Sequence, residues 1–266
     1  MILEGISHAH TTYSYDGKLP IKEFKEFFKE QGTEFVLITE HSDFIEPKDA
    51  LRFIKDCHNL SDGTITLIPG FEVPYKDAHI LMIGVTGFLK NGQNSAEELK
   101  EWRKLAKLAV WAHPHRNRYL LYDAIKEVID GVEVWNSQYD GKYVPRMKVL
   151  NSLKGLRLRK DNVYAFGGLD FHRPEHNQGP MLVLEVDRNE EGQIIEALKT
   201  GKYVIKSRQV TIDATGHVLK GAPLLMNVIS GLSVGSITFL KKVSAFAAKF
   251  HLPVPKGIKV ALRKRL

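Results

Sequence analysis

Ile2-Leu3-Glu4-Gly5-Ile6-Ser7-His8-Ala9-His10 is a short apolar run that ends in two histidines. The run reads as a β-strand, and residues two apart on a strand point to one face, so His8 and His10 can approach one ion from one side. The same form recurs down the chain. Glu40-His41 follows the run Phe35–Thr39, Glu72 lies near the end of Thr66–Val73, and His79 opens His79–Val85. His113-Pro114-His115 follows Leu108–Ala112, and Asp170-Phe171-His172 follows Tyr164–Leu169 with the same two-residue spacing. Asp16 stands just beyond the first pair. Neutral imidazole and carboxylate are the ligand types that zinc, manganese and iron accept. No thiolate takes part, because the lone Cys57 sits apart from every motif.

With Gly131–Asn136, these runs make seven candidate strands, and helical patterns separate most of them. Pro20 opens the first helix, Ile21, Phe24, Phe27 and Phe28 form its apolar stripe, and Gly32 stops it. Further helices are expected near Pro47–His58, Ser95–Leu105, Tyr119–Ile129, Pro145–Leu153 and Glu190–Lys199. Alternation of this kind predicts a parallel α/β fold. Ligands gathered at the C-terminal ends of parallel strands are what a closed barrel places at its catalytic face, whereas an open sheet would hold the outer ones too far apart.

A chain of 266 residues, 43% hydrophobic and 26% charged, has room for one principal domain and an appendage. It has no run of eighteen apolar residues and no signal-peptide pattern after Met1, so cytoplasmic residence is expected. The net charge of +7 is uneven, since residues 214–266 carry nine Lys or Arg and no acid, leaving about −2 for the rest. We therefore divide the chain into a barrel at 1–208 and a basic extension at 209–266. Within the extension Phe239, Leu240, Val243, Phe246, Ala247 and Phe250 recur at helical spacing. That face is expected to dock on the barrel or to lie peripherally on a membrane, and the extension's basic residues to touch anionic lipid or nucleic acid weakly.

His8-Ala-His10 through Asp16-Gly17, Thr39-Glu40-His41, Gly70-Phe-Glu72, His79, Ala112-His113-Pro114 and Gly168-Leu-Asp170-Phe-His172, in this order, resemble the PHP (polymerase and histidinol phosphatase) metallohydrolases over about three quarters of the chain. Gly131-Val-Glu133-Val-Trp135-Asn136 and Ala197-Leu-Lys-Thr-Gly201-Lys-Tyr203 resemble the carbaryl-hydrolase-type branch. The resemblance implies a distorted seven-stranded, TIM-like (β/α)7 barrel and a trinuclear centre of two to three manganese, zinc or iron ions. It implies that His8, His10, Glu72 and Asp170 hold one ion. Glu72 as a bridge, His79 and His113 would hold a second, and Asp16, His41 and His172 a third. Glu40 stands where Asp is usual in the family, as the residue that would hydrogen-bond a ligand. Phe171 replaces a smaller residue and fills core.

The implied activity is metal-dependent hydrolysis of a small phosphomonoester or nucleotide, by attack of a metal-bridging hydroxide. Such a site would keep roughly +2 of charge, which suits a phosphate dianion better than a neutral carbamate. Asp170 is the catalytic carboxylate in this reading. His115 is a general acid, a phosphate contact or a solvated loop residue, and Lys18, Arg116 and Arg173, each beside a ligand motif, are candidates to bind phosphate. The other readings are a hydrolase of carbamates or carboxyl esters, a nucleic-acid exonuclease, and an RNA-binding barrel. His58, His176, His217 and His251 lie outside every motif and read as surface or core.

Overall fold

The computed structural model describes residues 1–90, 94–140 and 144–221. The first two thirds alternate as the sequence predicts: β1 (Ile2–Ala9), α1 (Ile21–Glu30), β2 (Phe35–Ile38), β3 (Glu40–His41), α2 (Pro47–Leu60), β4 (Thr66–Ile68), β5 (Gly70–Tyr75), β6 (Ala78–Ile83), α3 (Ala96–Leu105), β7 (Leu108–Ala112), α4 (Asp123–Val128), β8 (Gly131–Asn136), α5 (Met147–Arg157) and β9 (Tyr164–Gly168). Then follow β10 (Met181–Glu185), α6 (Glu191–Lys199), β11 (Tyr203–Lys206), β12 (Thr211–Asp213) and β13 (Val218–Lys220). Helix α1 starts after Pro20 and buries Ile21, Phe24 and Phe28. Phe171 is fully buried, 4.8 Å from the Phe28 ring and 5.6 Å from Phe24, so it does fill core. Helix α3 is capped by Ser95, whose hydroxyl accepts from the Glu98 N–H at 3.1 Å.

The strands form two mixed sheets, ordered β13-β12-β11-β10-β1-β2-β4 and β3-β5-β6-β7-β8-β9. Among the described residues no ring of seven parallel strands closes, and two features explain the departure. Pro69 splits the expected strand Thr66–Val73. Its carbonyl accepts from the Gly84 and Val85 N–H groups, and the chain passes from β4 in one sheet to β5, which carries Glu72, in the other. The turn at Lys76 and Asp77 then makes β5 and β6 an antiparallel hairpin, with Tyr75 opposite Ala78, and β7 pairs antiparallel with β6. Strands β10 to β13 add an antiparallel edge beside β1. The apolar runs Met181–Leu184 and Tyr203–Ile205 are the sequence signal for the first two of them.

The sheets meet where the site lies. Ala9 bridges Phe171, the Leu169 and Phe171 N–H groups donate to the carbonyls of Ser7 and His8, and the His10 N–H returns a bond to the Phe171 carbonyl at 2.8 Å. A second junction follows from β2 running through Thr39 into β3, with the Thr39 N–H held by the Ala9 carbonyl. Both junctions lie at the C-terminal ends of β1, β2 and β9. Strands β12 and β13 carry the chain beyond residue 208 as part of the sheet, while the helical-spaced stripe at 239–250 and the terminal basic cluster lie outside the described residues.

Candidate metal centre

Three candidate ligands occupy backbone conformations that side-chain-bearing residues rarely adopt: His8 at φ 60°, His113 at φ 26° and Asp170 at φ 52°. Each position costs on the order of 1–3 kcal/mol and persists only where the surroundings enforce it, as functional sites do. At His8 the cause is local. The β1–β2 register shifts between Ser7 and Ala9, so strict alternation fails at the strand end and the imidazole is aimed by a bulge. Asp170 and His172 likewise lie beyond the end of β9, and they fall in different candidate triplets, in keeping with the separate groups that the resemblance implies.

Among the described residues four overlapping triplets of potential ligand atoms result: His8, His10 and Glu72; His8, His113 and Asp170; Glu72, His79 and His113; and His10, His41 and His172. Glu72 links them because its two oxygens face different partners. Oε1 is 2.8 Å from His113 Nε2 and also contacts His79 Nδ1, while Oε2 lies 3.3 Å from His41 Nδ1, 3.4 Å from His8 Nε2 and 3.5 Å from His10 Nε2. Asp170 Oδ1 stands 3.5 Å from His8 Nε2 and 3.6 Å from His10 Nε2. Asp16 Oδ2 lies 3.4 Å from His41 and 3.1 Å from His172. His10 packs against both His41 and His172, with ring centroids 4.4 Å away in each case, and the His41 and His172 centroids are 6.1 Å apart. All nine sequence-derived candidate ligands therefore converge on one locus.

The donor set fits divalent ions on a direct observation: His8 Nε2, His10 Nε2, His41 Nε2 and Asp16 Oδ1 are buried without a hydrogen-bond partner. Buried polar atoms left so are rare, and the three imidazole nitrogens stand 3.4–3.6 Å from oxygens of Glu72, Asp170 or Asp16, a spacing that two ligands of one cation adopt. Proton affinities follow the charge of the cluster. Burial lowers His10 to about 3, with the His172 and His41 rings adding to the effect against Asp170. Burial also opposes the cationic form of His8, yet Asp170, Glu133 and Glu72 outweigh it and hold His8 well above its ordinary value. His41 and His172 are raised in the same way, each against its burial and chiefly by Asp16. Asp170 and Glu72 stay well below the usual carboxylate range, the surrounding imidazoles overcoming burial.

Behind the ligands lies a polar layer that the sequence did not disclose. Glu133 is wholly buried: its Oε1 accepts from His8 Nδ1 at 3.0 Å, and its Oε2 accepts from the His113 N–H at 2.7 Å and from Asn136 Nδ2 at 2.9 Å. A carboxylate can only accept, so His8 carries its proton on Nδ1 and turns Nε2 to the cluster. Gly168 permits this reach, because a Cβ there would stand 1.7 Å from Glu133 Oε1. The sequence places Glu133 only on the strand Gly131–Asn136, and the register of β8 against β9 brings it to His8. Glu40 acts one bond further back than expected. It accepts from the Thr11 N–H at 2.9 Å, the Thr11 hydroxyl at 2.5 Å and the Ser14 hydroxyl at 2.5 Å, and Ser14 Oγ in turn lies 3.3 Å from His10 Nδ1 and accepts from the His41 N–H at 2.9 Å. Burial raises Glu40 to about 7 in spite of these donors. His176 is a second omission. Its Nδ1 accepts from the His172 N–H at 3.3 Å, and the spacing of four residues around Pro174 was the available signal.

Among the candidate phosphate groups, the Arg116 guanidinium rests on the His79 ring, 2.7 Å from Nε2. The Lys18 side chain is exposed, and its N–H donates to the His172 carbonyl. Arg173 is half-exposed and turns its Nε toward His176 Nε2 at 3.0 Å. His115 packs against Tyr119, ring centroids 5.9 Å apart, and belongs to none of the four triplets.

The PHP domain matches residues 7–160, and the chain belongs to that family. No curated protein matches it in sequence. Solved structures with the same fold include a two-domain protein of Bacteroides vulgatus containing a predicted PHP-like metal-dependent phosphoesterase, with TM-score 0.61 and 16% identity over 80% of this chain and 66% of that one. A Bifidobacterium adolescentis protein assigned as a metal-dependent phosphoesterase gives 0.50 and 17% over 73% and 94%. The lesion-specific endonuclease EndoQ of Pyrococcus furiosus gives 0.53 and 18% over 80% and 59%. The chain thus spans under two thirds of the first and third of these proteins. The comparisons reach the family and not a branch within it.

Proposed function

We propose that this protein is a metal-dependent phosphoesterase acting on a small phosphomonoester or nucleotide. The observation that carries the reading is Glu72, whose two oxygens face separate groups of imidazoles with unpartnered buried nitrogens at the centre. On this reading His8, His10, Glu72 and Asp170, then Glu72, His79 and His113, then Asp16, His41 and His172 hold two to three divalent ions. His10 stands within reach of the first and third groups. Such ions, when bound, supply Lewis acidity that acidifies water and neutralises phosphate oxygens. The chain's own part is positional. Glu133 fixes the His8 tautomer, Glu40 and Ser14 hold the turn that carries Asp16, and Arg116 offers a planar donor fork beside His79 for a phosphate oxygen. His115, Lys18 and Arg173 are further candidates for the leaving-group proton and for phosphate. The two sheets would enclose the site as a distorted TIM-like barrel that takes in β12 and β13 beyond the expected boundary at 208, and the rest of the expected 209–266 extension would be an accessory to it.

The test is metal content by mass spectrometry beside a phosphate-release screen with manganese, zinc or iron, before and after chelation. We expect at least two ions per chain, phosphate release that chelator abolishes, and loss of turnover by more than tenfold in Asp170→Asn. Carbamates or carboxyl esters turning over while every phosphate ester stays inert would overturn the phosphate assignment, and activity confined to polynucleotides would assign the site to a nuclease.

A further inference from the structure

The candidate metal centre has an aromatic flank that coordination does not use. Tyr15, in the turn between β1 and α1, and Phe44, in the turn after β3, are 65% and 66% exposed although both are large and apolar. Neither side chain enters the core. Their rings pack on each other with centroids 4.6 Å apart, and Tyr15 stacks on His41 at 5.2 Å and 26° between planes. His41 is in turn stacked on His10 at 4.4 Å. Phe44, Tyr15, His41 and His10 thus form a file of rings that runs from solvent to the middle of the ligand cluster. Holding two aromatic rings in water has no folding benefit, whereas an exposed ring fixed against a neighbour is a ready stacking surface.

We propose that Tyr15 and Phe44 form a platform for the base of a nucleoside phosphate, so that the substrate of this site is a nucleotide and not an aliphatic phosphate ester. The inference rests on the phosphoesterase reading and narrows it. Two features select this ligand. An exposed aromatic pair offers stacking to any flat ring, which every base presents, and base stacking is sequence-tolerant for the same reason. The pair also stands one ring away from the cluster that would take the phosphate, so a single ligand with a flat ring and a phosphate a few bonds apart engages both. An aliphatic phosphate would leave the platform bare, and a purely aromatic ligand would leave the cluster's buried nitrogens unused.

The experiment compares full-length wild type, Phe44→Ala, Phe44→Trp and Tyr15→Leu, all loaded with manganese, on AMP, UMP, 4-nitrophenyl phosphate and ribose 5-phosphate. Binding of a nonhydrolysable phosphonate analogue of AMP, measured by calorimetry, provides a second readout. We expect wild type to prefer AMP to ribose 5-phosphate, and the ratio of their kcat/KM values to fall about tenfold in Phe44→Ala and in Tyr15→Leu. Analogue affinity should fall by a similar factor, and Phe44→Trp should retain the preference. An unchanged ratio, as expected if another part of the chain or a second copy covers the pair, overturns the proposal. So does equal loss on AMP and ribose 5-phosphate, which would assign the pair to the integrity of the metal site. Loss confined to 4-nitrophenyl phosphate, with nucleotides inert, would make the ligand an aryl phosphate instead. Release of phosphate from none of the esters refutes the phosphoesterase reading itself, whereas wild-type turnover with an unaltered ratio refutes only the platform.

Discussion

Glu133 shows how one side chain can fix the chemistry of another. Its two oxygens take hydrogen bonds from the His8 ring, the His113 backbone and the Asn136 amide, all without contact with solvent. Glu133→Gln preserves volume but introduces an NH2 that must face either the His8 Nδ1–H or the two donors on the other side. At least one donor then loses its acceptor. We expect metal affinity to fall by about 10–100-fold, the usual cost of losing a partner that orients a ligating histidine, with a stability loss of about 1–3 kcal/mol from the unsatisfied donor. Competition with a chromophoric chelator and urea unfolding measure the two effects, and unaltered metal affinity would show that Glu133 is only filler. The residue scale is also where the sequence was most readable, because His, Asp and Glu declare their chemistry by type. Glu133 declared its type but not its partner, which depends on the β8–β9 register and on a glycine at 168.

At the scale of elements, one buried ion pair, Asp140 with Arg146, joins the turn just after β8 to the residue that opens α5. The Asp140 carboxylate accepts from the Arg146 guanidinium and, through Oδ2, from the Asn136 N–H at 2.8 Å, and Arg146 Nη2 donates to the Tyr139 carbonyl at 2.7 Å. Tyr139 in turn packs on His113, centroids 4.7 Å apart, so the pair anchors a ring that shields a candidate ligand. Burial raises Asp140 to about 6 even though Arg146 opposes the shift. A carboxyl raised on folding favours the native state below its unfolded value, and that contribution disappears as pH rises through about 6. Arg146→Met leaves Asp140 buried and unpaired, and should cost about 3–5 kcal/mol at pH 8, where the charge persists. Near pH 5, where Asp140 can stay protonated, the loss should be smaller. Urea unfolding at both values checks this, and a loss that grows toward acid would contradict the assignment. The elements themselves were legible where hydrophobic period and punctuation agreed: α2, expected near Pro47–His58, spans Pro47–Leu60, and α6, expected at Glu190–Lys199, spans Glu191–Lys199. They were not legible where strand pairing decided, as at Pro69 and in β10 to β13.

For the whole molecule, the central linkage is between protons, metal and stability. His8, His41 and His172 are held above their ordinary proton affinity by surrounding carboxylates, so in the metal-free fold they retain protons that a metal must displace. Metal affinity should therefore rise with pH, and binding should release protons. A ligand at 100 times its dissociation constant stabilises a fold by about 2.7 kcal/mol. Chelation should accordingly lower the Tm of metal-loaded protein by several degrees at pH 8 and by less at pH 6, as read by calorimetry. A chelation effect that is the same at both values would show that the imidazoles are already neutral in the metal-free fold.

The candidate ligands, the alternation of strand and helix and membership of the PHP family could be read from the chain alone, because residue type and hydrophobic period are local properties. Packing alone shows that the strands divide into two mixed sheets, that Glu133 takes the hydrogen bond of the His8 ring, and that Glu40 reaches the ligands only through Ser14. The physical reason is that each of these depends on register and on backbone conformations at strand ends. His8, Asp170 and His113 lie where the two-residue repeat of a strand has stopped, and there the direction of a side chain is fixed by what the rest of the fold packs around it.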